Sequence, residues 1–245
     1  EGGYKFVGTY VDSPLCMYSC LDGLSIREDV ADLETGWAIS TSPNRDDLKS
    51  VDDLKSTKVG VSRIGSGSYV MSFVLADRQG WLQSALGKKW PAPFTFHPLQ
   101  NFANLRKGVN DRTVDFFMWE HFTSKKYYDN GEIKRIGEIY TPWPSWTIVM
   151  RDYFDGRYDG RVDDMLKKLD QGVKYFQENQ EEAVKYISTE LDYSEEDARE
   201  WLKTVKFTKS TSGTEVEMLD RVCDLLRSAG VVDEDAEGCG MIAEF

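Results

Sequence analysis

The chain has 245 residues, enough for one large or two small domains around a sizeable core. Its 42 acidic against 30 basic residues leave a formal net charge of −12, which argues against a nucleic-acid or anionic-membrane partner. No apolar run approaches the roughly 20 residues that span a bilayer, so no membrane insertion is expected.

Residues 4–11 (YKFVGTYV) predict a strand, ended by Asp12-Ser13-Pro14. Residues 17–36 lack a sustained apolar period and read as a surface excursion, in which Ser25-x-x-Glu28 would cap a short helix. A strand follows at residues 37–40 (WAIS). The polar stretch 43–56 holds DDLKS twice, at Asp46 and Asp52, and a capping-box pattern, Ser50 to Asp53, marks a short helix there. Residues 59–62 then predict a short buried strand. Ile64-Gly65-Ser66-Gly67-Ser68 breaks it, and from Tyr69 the apolar positions Val70, Phe73 and Val74 recur at helical spacing up to Gly80. After a loop with Trp90, Pro91 and Pro93 come a strand at 94–98 and a short helix at 102–107. A strand at 114–119, a helix at 120–129 stopped by Asn130-Gly131, and a strand at 134–140 complete this half. Strands alternating with short helices imply βαβ units and a largely parallel sheet.

The composition changes after Tyr140. Thr141-Pro142-Trp143-Pro144-Ser145-Trp146 reads as a stiff aromatic link, and residues 147–154 as a last strand. From Arg161 the pattern is helical, with Val162, Met165, Leu166, Leu169, Val173 and Phe176 on one face. Ser194-x-x-Asp197 and Thr214-x-x-Glu217 are capping-box starts of two further helices, the second stopped by Gly230. Residues 233–245 read as a loose tail. An α/β half joined by a Pro-Trp link to a helical half implies a two-lobed body with a hinge near Thr141.

Two stretches carry candidate binding chemistry. The turn Gly65-Ser66-Gly67-Ser68 lies where a strand gives way to a helix. In open α/β sheets ligands bind at such carboxyl ends, and the free N–H groups of the helix start favour an anion or a carbonyl oxygen. Ser66 and Ser68 can add hydroxyls, and the glycines allow close approach; the same residues also suit a plain helix cap. Arg63 beside them could pair an anionic ligand or simply be solvated. The second stretch is Trp119-Glu120, again at a strand end, where an indole can stack on a planar ligand and a carboxylate can accept hydrogen bonds. The alternative is an acid at a helix start and a tryptophan packed on the core. Trp143 could wall the cleft or pack the hinge. Four scattered cysteines (Cys16, Cys20, Cys223, Cys239) and two histidines (His97, His121) offer no metal spacing, and neither metal nor cofactor is expected. They build no Ser/His/Asp or Cys/His set either, so no residue is assigned a catalytic role. The thiols read as reduced, which points to the cytoplasm. Oligomeric state has no signature in the sequence.

VDDLKSTKVGVSRIGSGSYVM, followed by VDFFMWEHFT and a helical C-terminal half, resembles the type 2 periplasmic-binding-protein superfamily. It is similar within it to the sulfonate, nitrate and taurine-type binding proteins, and closer still to their fungal intracellular relatives, which are related to thiamine pyrimidine synthases. The resemblance runs from Tyr4 to about Val232, excepting 17–36. It implies an α/β fold of two lobes closing on a small molecule. Residues 1–50 would be a partial first lobe, 51–141 the second, and 142–232 the rest of the first, with 233–245 a flexible tail. The opening elements of the first lobe are not matched, which implies a fragment. By motif match Ser66, Gly67, Ser68 and Trp119-Glu120 carry over as ligand contacts, and Ser13 from the first lobe. The synthases' cysteine-rich motif is not seen, so the resemblance implies a binding protein, with a thiamine or pyrimidine precursor enzyme using His121 or His97 as the alternative. It also implies that 17–36 is an insert. These twenty residues are a whole number of codons, which an unspliced intron could occupy in frame.

Overall fold

A computed structural model describes residues 24–31, 36–82, 92–142, 146–151, 161–191, 193–204 and 216–233. Strands β1 (Leu24–Ala31) and β2 (Gly36–Thr41) come first, then a single 3-10 turn at Val51–Leu54 and strand β3 (Lys58–Val61). Helix α1 (Gly67–Arg78), strand β4 (Thr95–Pro98), helix α2 (Phe102–Asn110), strand β5 (Phe116–Glu120), helix α3 (His121–Asp129) and strand β6 (Lys134–Tyr140) follow. Strand β7 (Trp146–Arg151) leads into helices α4 (Arg161–Glu178), α5 (Gln180–Glu190), α6 (Glu195–Thr204) and α7 (Val216–Ser228).

Five strands form one sheet in the order β4-β3-β5-β2-β6. Strand β3 runs parallel to β4 and β5, as crossover helices α1 and α2 require. Strand β2 is antiparallel to both β5 and β6, so the sheet is mixed rather than largely parallel. The expectation failed because β2 enters from the other direction and pairs with partners far along the chain. Strand β2 is an inner strand of this sheet, between β5 and β6.

Side-chain alternation along the strands sets three layers. Phe116 and Met118 of β5 share one apolar cluster with Trp37, Ile39, Val59 and Val61, under Val70, Phe73 and Val74 of α1. Val222, Leu225 and Leu226 of α7 belong to the same cluster, so this last helix packs with the sheet and not only with the helical half. Phe117 faces the other way and joins Leu105, Val109, Val114 and Ile133. Gly60 of β3 makes room on that side, since a Cβ there would meet Leu105 Cδ2 at 2.9 Å.

Within the stretch read as an insert, Leu24–Ala31 is a strand and not a helix capped by Ser25. It pairs antiparallel with β7, from Leu24 opposite Arg151 to Ala31 opposite Trp146. That pairing is the reason: its hydrogen-bond partners lie at the far end of the α/β half, where local periodicity carries no trace of them. The expected strand at residues 4–11 and the tail at 234–245 lie outside the described residues. No helix among the described residues is long and apolar enough to cross a membrane.

Candidate functional site at the carboxyl edge of the sheet

Parallel strands β4, β3 and β5 end on the same edge of the sheet, and each delivers a helix start there. Ser66 caps α1, Asn101 caps α2 and Glu120 caps α3. Strand β2 begins at this edge, with Trp37 opposite Glu120 in register. The topology therefore brings the Gly65–Ser68 turn and the Trp119-Glu120 pair to one edge, as the sequence predicts.

The turn after β3 is tied from within. Gly65 has φ +77°, the left-handed region that glycine enters freely, and Ser66 N–H donates to the Arg63 carbonyl at 3.2 Å. Ser66 Oγ donates to the same carbonyl at 2.7 Å and accepts the Tyr69 N–H at 3.4 Å. With that proton spent, the 3.0 Å contact between the two hydroxyls makes Ser68 the donor and Ser66 the acceptor. Ser68 Oγ also accepts the Ser62 N–H at 3.2 Å. Both hydroxyl protons are thus committed inside the turn. The turn's other donors are backbone: the N–H groups of Gly67 and Ser68, first-turn donors that a helix cannot satisfy internally.

Glu120 is similarly committed. Its two carboxylate oxygens accept the N–H groups of Phe122 at 2.9 Å and Thr123 at 2.7 Å, which makes it the N-cap of α3. The Trp119 indole lies face to face with Phe102 of α2, ring centroids 5.1 Å apart and 11° from parallel. Arg63 is exposed at the turn. Ser13 and Trp143 lie outside the described residues.

Beside this edge is a polar cluster that sequence reasoning did not assemble. His121, first residue of α3, stacks toward Tyr128, whose hydroxyl is 2.6 Å from Ser40 Oγ on β2. Arg135 Nη1 of β6 lies 3.1 Å from His121 Nδ1 and its Nη2 lies 2.5 Å from Glu138. An arginine nitrogen can only donate, so Nδ1 is the acceptor and the imidazole is neutral with its proton on Nε2. Burial first, and Arg135 second, hold His121 below the ordinary imidazole value. A depressed folded-state value means stability that is fully present above the free-imidazole pKa of about 6.5 and lost as the pH falls through the lower folded value. Thermal melts are expected to fall on that acid limb, and His121→Gln is expected to flatten it; identical limbs for the two proteins would refute the assignment. His97 sits on β4, away from His121, with Nε2 buried and without a hydrogen-bond partner among the described residues. The two histidines are not brought together.

A surface hollow of about 250 Å³, lined by Pro98, Leu99, Gln100, Asn104, Lys107 and Gly108 among others, opens beside α2; none of the sequence-predicted residues lines it. Among the described residues no group of three or more His, Cys, Asp or Glu side chains is placed to hold a metal ion.

No curated protein matches the chain. A family model described as Ca3427-like PBP matches residues 37–139, the stretch that holds both strand-end motifs. Among solved structures, the Candida albicans CA3427 gene product, described as defining a new family with the generic periplasmic binding protein fold, is 39% identical with a TM-score of 0.79. That match covers 92% of this chain and 73% of the Candida protein. The alkanesulfonate-binding protein SsuA of Xanthomonas axonopodis pv. citri, bound to MOPS, shares the fold at 14% identity and a TM-score of 0.68, covering 95% of this chain and 78% of SsuA. The aliphatic sulphonate binding protein SsuA of Escherichia coli does so at 13% identity and a TM-score of 0.65, over 98% and 75%. An α/β sheet with helix starts gathered at one edge, and this degree of identity over most of both chains, place the protein in the family defined by the Candida CA3427 product, with the periplasmic binding protein fold.

Proposed function

We propose that the protein is a non-catalytic small-molecule binding protein whose two lobes close about a hinge over an anionic or planar heteroaromatic ligand. The observation that carries this reading is the α1 start, where both serine hydroxyls are spent inside the turn and the Gly67 and Ser68 N–H groups remain for a ligand oxygen. Oriented backbone donors at the positive end of a 12-residue helix favour negative charge. Gly65, Ser66, Gly67 and Ser68 would form the anchor, with Arg63 and the Trp119-Glu120 end beside it, and Ser13 and Trp143 would be further ligand contacts. The fold relationship supports the same class, since the sulfonate-binding SsuA proteins share it and one is bound to MOPS, a sulfonate. Lobe boundaries near Ser50 and Thr141, with β2 and α7 packed on the second lobe, and a cytoplasmic location belong to this reading.

Native mass spectrometry of the full-length protein from its own source is the direct test. Stoichiometric retention of one small molecule without turnover is expected; turnover of a thiamine or pyrimidine precursor would favour the enzyme alternative. Titration calorimetry with the retained molecule then tests the anchor. Ser66→Ala/Ser68→Ala removes the hydroxyls that hold the turn, each hydrogen bond contributing about 0.5–1.5 kcal/mol, so affinity is expected to fall roughly tenfold. Unchanged affinity would move the anchor elsewhere.

A further inference from the structure

Helices α3 and α6 come from distant parts of the chain and, among the described residues, are joined by a charge pair. Lys125 Nζ of α3 lies 3.6 Å from Asp197 Oδ1 of α6. The Asp197 side chain is only 11% exposed, against 35% for Lys125. Its other oxygen, Oδ2, accepts the Ser194 hydroxyl at 2.6 Å, and the Asp197 N–H donates to Ser194 Oγ at 3.0 Å. The carboxylate is thus fixed in the first turn of α6, next to Ala198, which is fully buried against Val184 and Ile187 of α5.

A largely buried carboxylate needs a cation, and the others nearby are engaged. Arg199 of α6 pairs with Glu181 at 2.7 Å and Glu195 at 2.8 Å, and Lys203 pairs with Glu200. Arg135 is held by Glu138 and by the neutral His121. Lys125 also reaches Asp129 on its own helix at 2.7 Å, which keeps the ammonium on this side of α3. Its pKa is raised first by the Asp129 hydrogen bond and further by Asp197.

We propose that Lys125 and Asp197 form an ionic latch that docks the α5–α6 helical pair onto α3, the helix whose first turn borders the candidate site. The residue pattern makes the latch local in consequence. Asp197 accepts the Ser194 hydroxyl at the start of α6 and also carries the docking charge, while α5 and α6 keep their own apolar contact through Val184, Ile187, Ala198 and Trp201. Breaking the pair frees the helical pair from α3 without unmaking it. The proposal stands apart from the ligand reading, since it needs no ligand and no closure.

Hydrogen exchange measured by mass spectrometry on the full chain tests it. Lys125→Met and Lys125→Glu are expected to raise exchange in α6 roughly tenfold, between the small effect of an exposed pair and the large one of a buried pair. Strands β2, β3 and β5 are expected to keep their protection, and Lys125→Arg is expected to behave as the parent protein. Lys125→Glu should exceed Lys125→Met, because it adds repulsion to the loss. Unchanged exchange in α6 with either variant would overturn the latch. An equal rise in α6 and in the sheet would overturn it too, because Lys125 would then act on the whole fold.

Discussion

Phe116→Ala is expected to cost about 3–5 kcal/mol of stability, the range for deleting a fully buried aromatic ring. Phe116 is fully buried on β5, opposite Val59 of β3, and its ring meets Phe94 edge-on at 5.1 Å. Phe94 in turn touches Phe96 of β4, and Phe96 stacks with Phe73 of α1 at 5.5 Å. The vacancy would open at the point where the β3, β4 and β5 strands and α1 share contacts, so little nearby can collapse into it. Denaturant melts should show the loss, with the midpoint temperature falling on the order of 10 °C. Phe116→Leu, which keeps most of the volume, should lose much less. A loss below about 1.5 kcal/mol for the alanine variant would mean that the ring is not central to this packing.

The consequence reaches the candidate site because β3 and β5 end at it. Both motifs there were legible in the sequence for a local reason. Gly65, Ser66, Gly67 and Ser68 break an apolar run and open a helical one, and such a turn is written in consecutive residues. Trp119-Glu120 sits at a change from period two to helical spacing, and Glu120 is indeed the boundary residue.

What the side chains do at those places was not legible. Whether Ser66 and Ser68 point to a ligand or to one another depends on the position of the Arg63 carbonyl and the Ser62 N–H, which the turn geometry sets. Trp119 looked available to a planar ligand, yet its partner Phe102 arrives from the helix on the preceding crossover. Ser194 Oγ accepts the Asp197 N–H, as the Ser194-x-x-Asp197 pattern predicts, but nothing in that pattern points to Lys125. The direction of β2 escaped for the same reason. A strand buried on both faces has the same sequence whether its neighbours run with it or against it, and β2 finds both neighbours only after the chain has passed through α1, α2 and α3. Local chemistry, then, was readable where a backbone change marks it, and pair partners were not.

The opposite edge of the sheet shows how far such partners reach. Asp115 →Ala is expected to destabilise by about 2–4 kcal/mol, since it removes hydrogen bonds to a charged group and to a backbone donor together. Asp115 Oδ1 accepts from Arg45 Nη1 at 2.6 Å, and Oδ2 accepts the Lys58 N–H at 2.8 Å. Its backbone N–H donates to the Lys58 carbonyl at 2.8 Å, and its carbonyl accepts the Thr41 hydroxyl at 2.7 Å. One residue therefore joins the end of β2 to the starts of β3 and β5. Arg45 keeps its pairing with Asp47 in the variant, which sets the upper limit on the loss, whereas the Lys58 N–H loses the carboxylate that accepts it. Asp115→Asn, which retains a carbonyl oxygen for one of the two donors, should lose about half as much. Chemical denaturation measures both. Because Asp115 stands at the strand starts and the Gly65–Ser68 turn at the strand ends, affinity for the retained ligand should stay within about twofold of the parent protein well below the melting temperature, as expected for distant independent sites. Equal stability of the alanine variant and the parent would show that the Arg45–Asp115 pair only decorates the edge, and that the register of β3 against β5 is set by their apolar contacts alone.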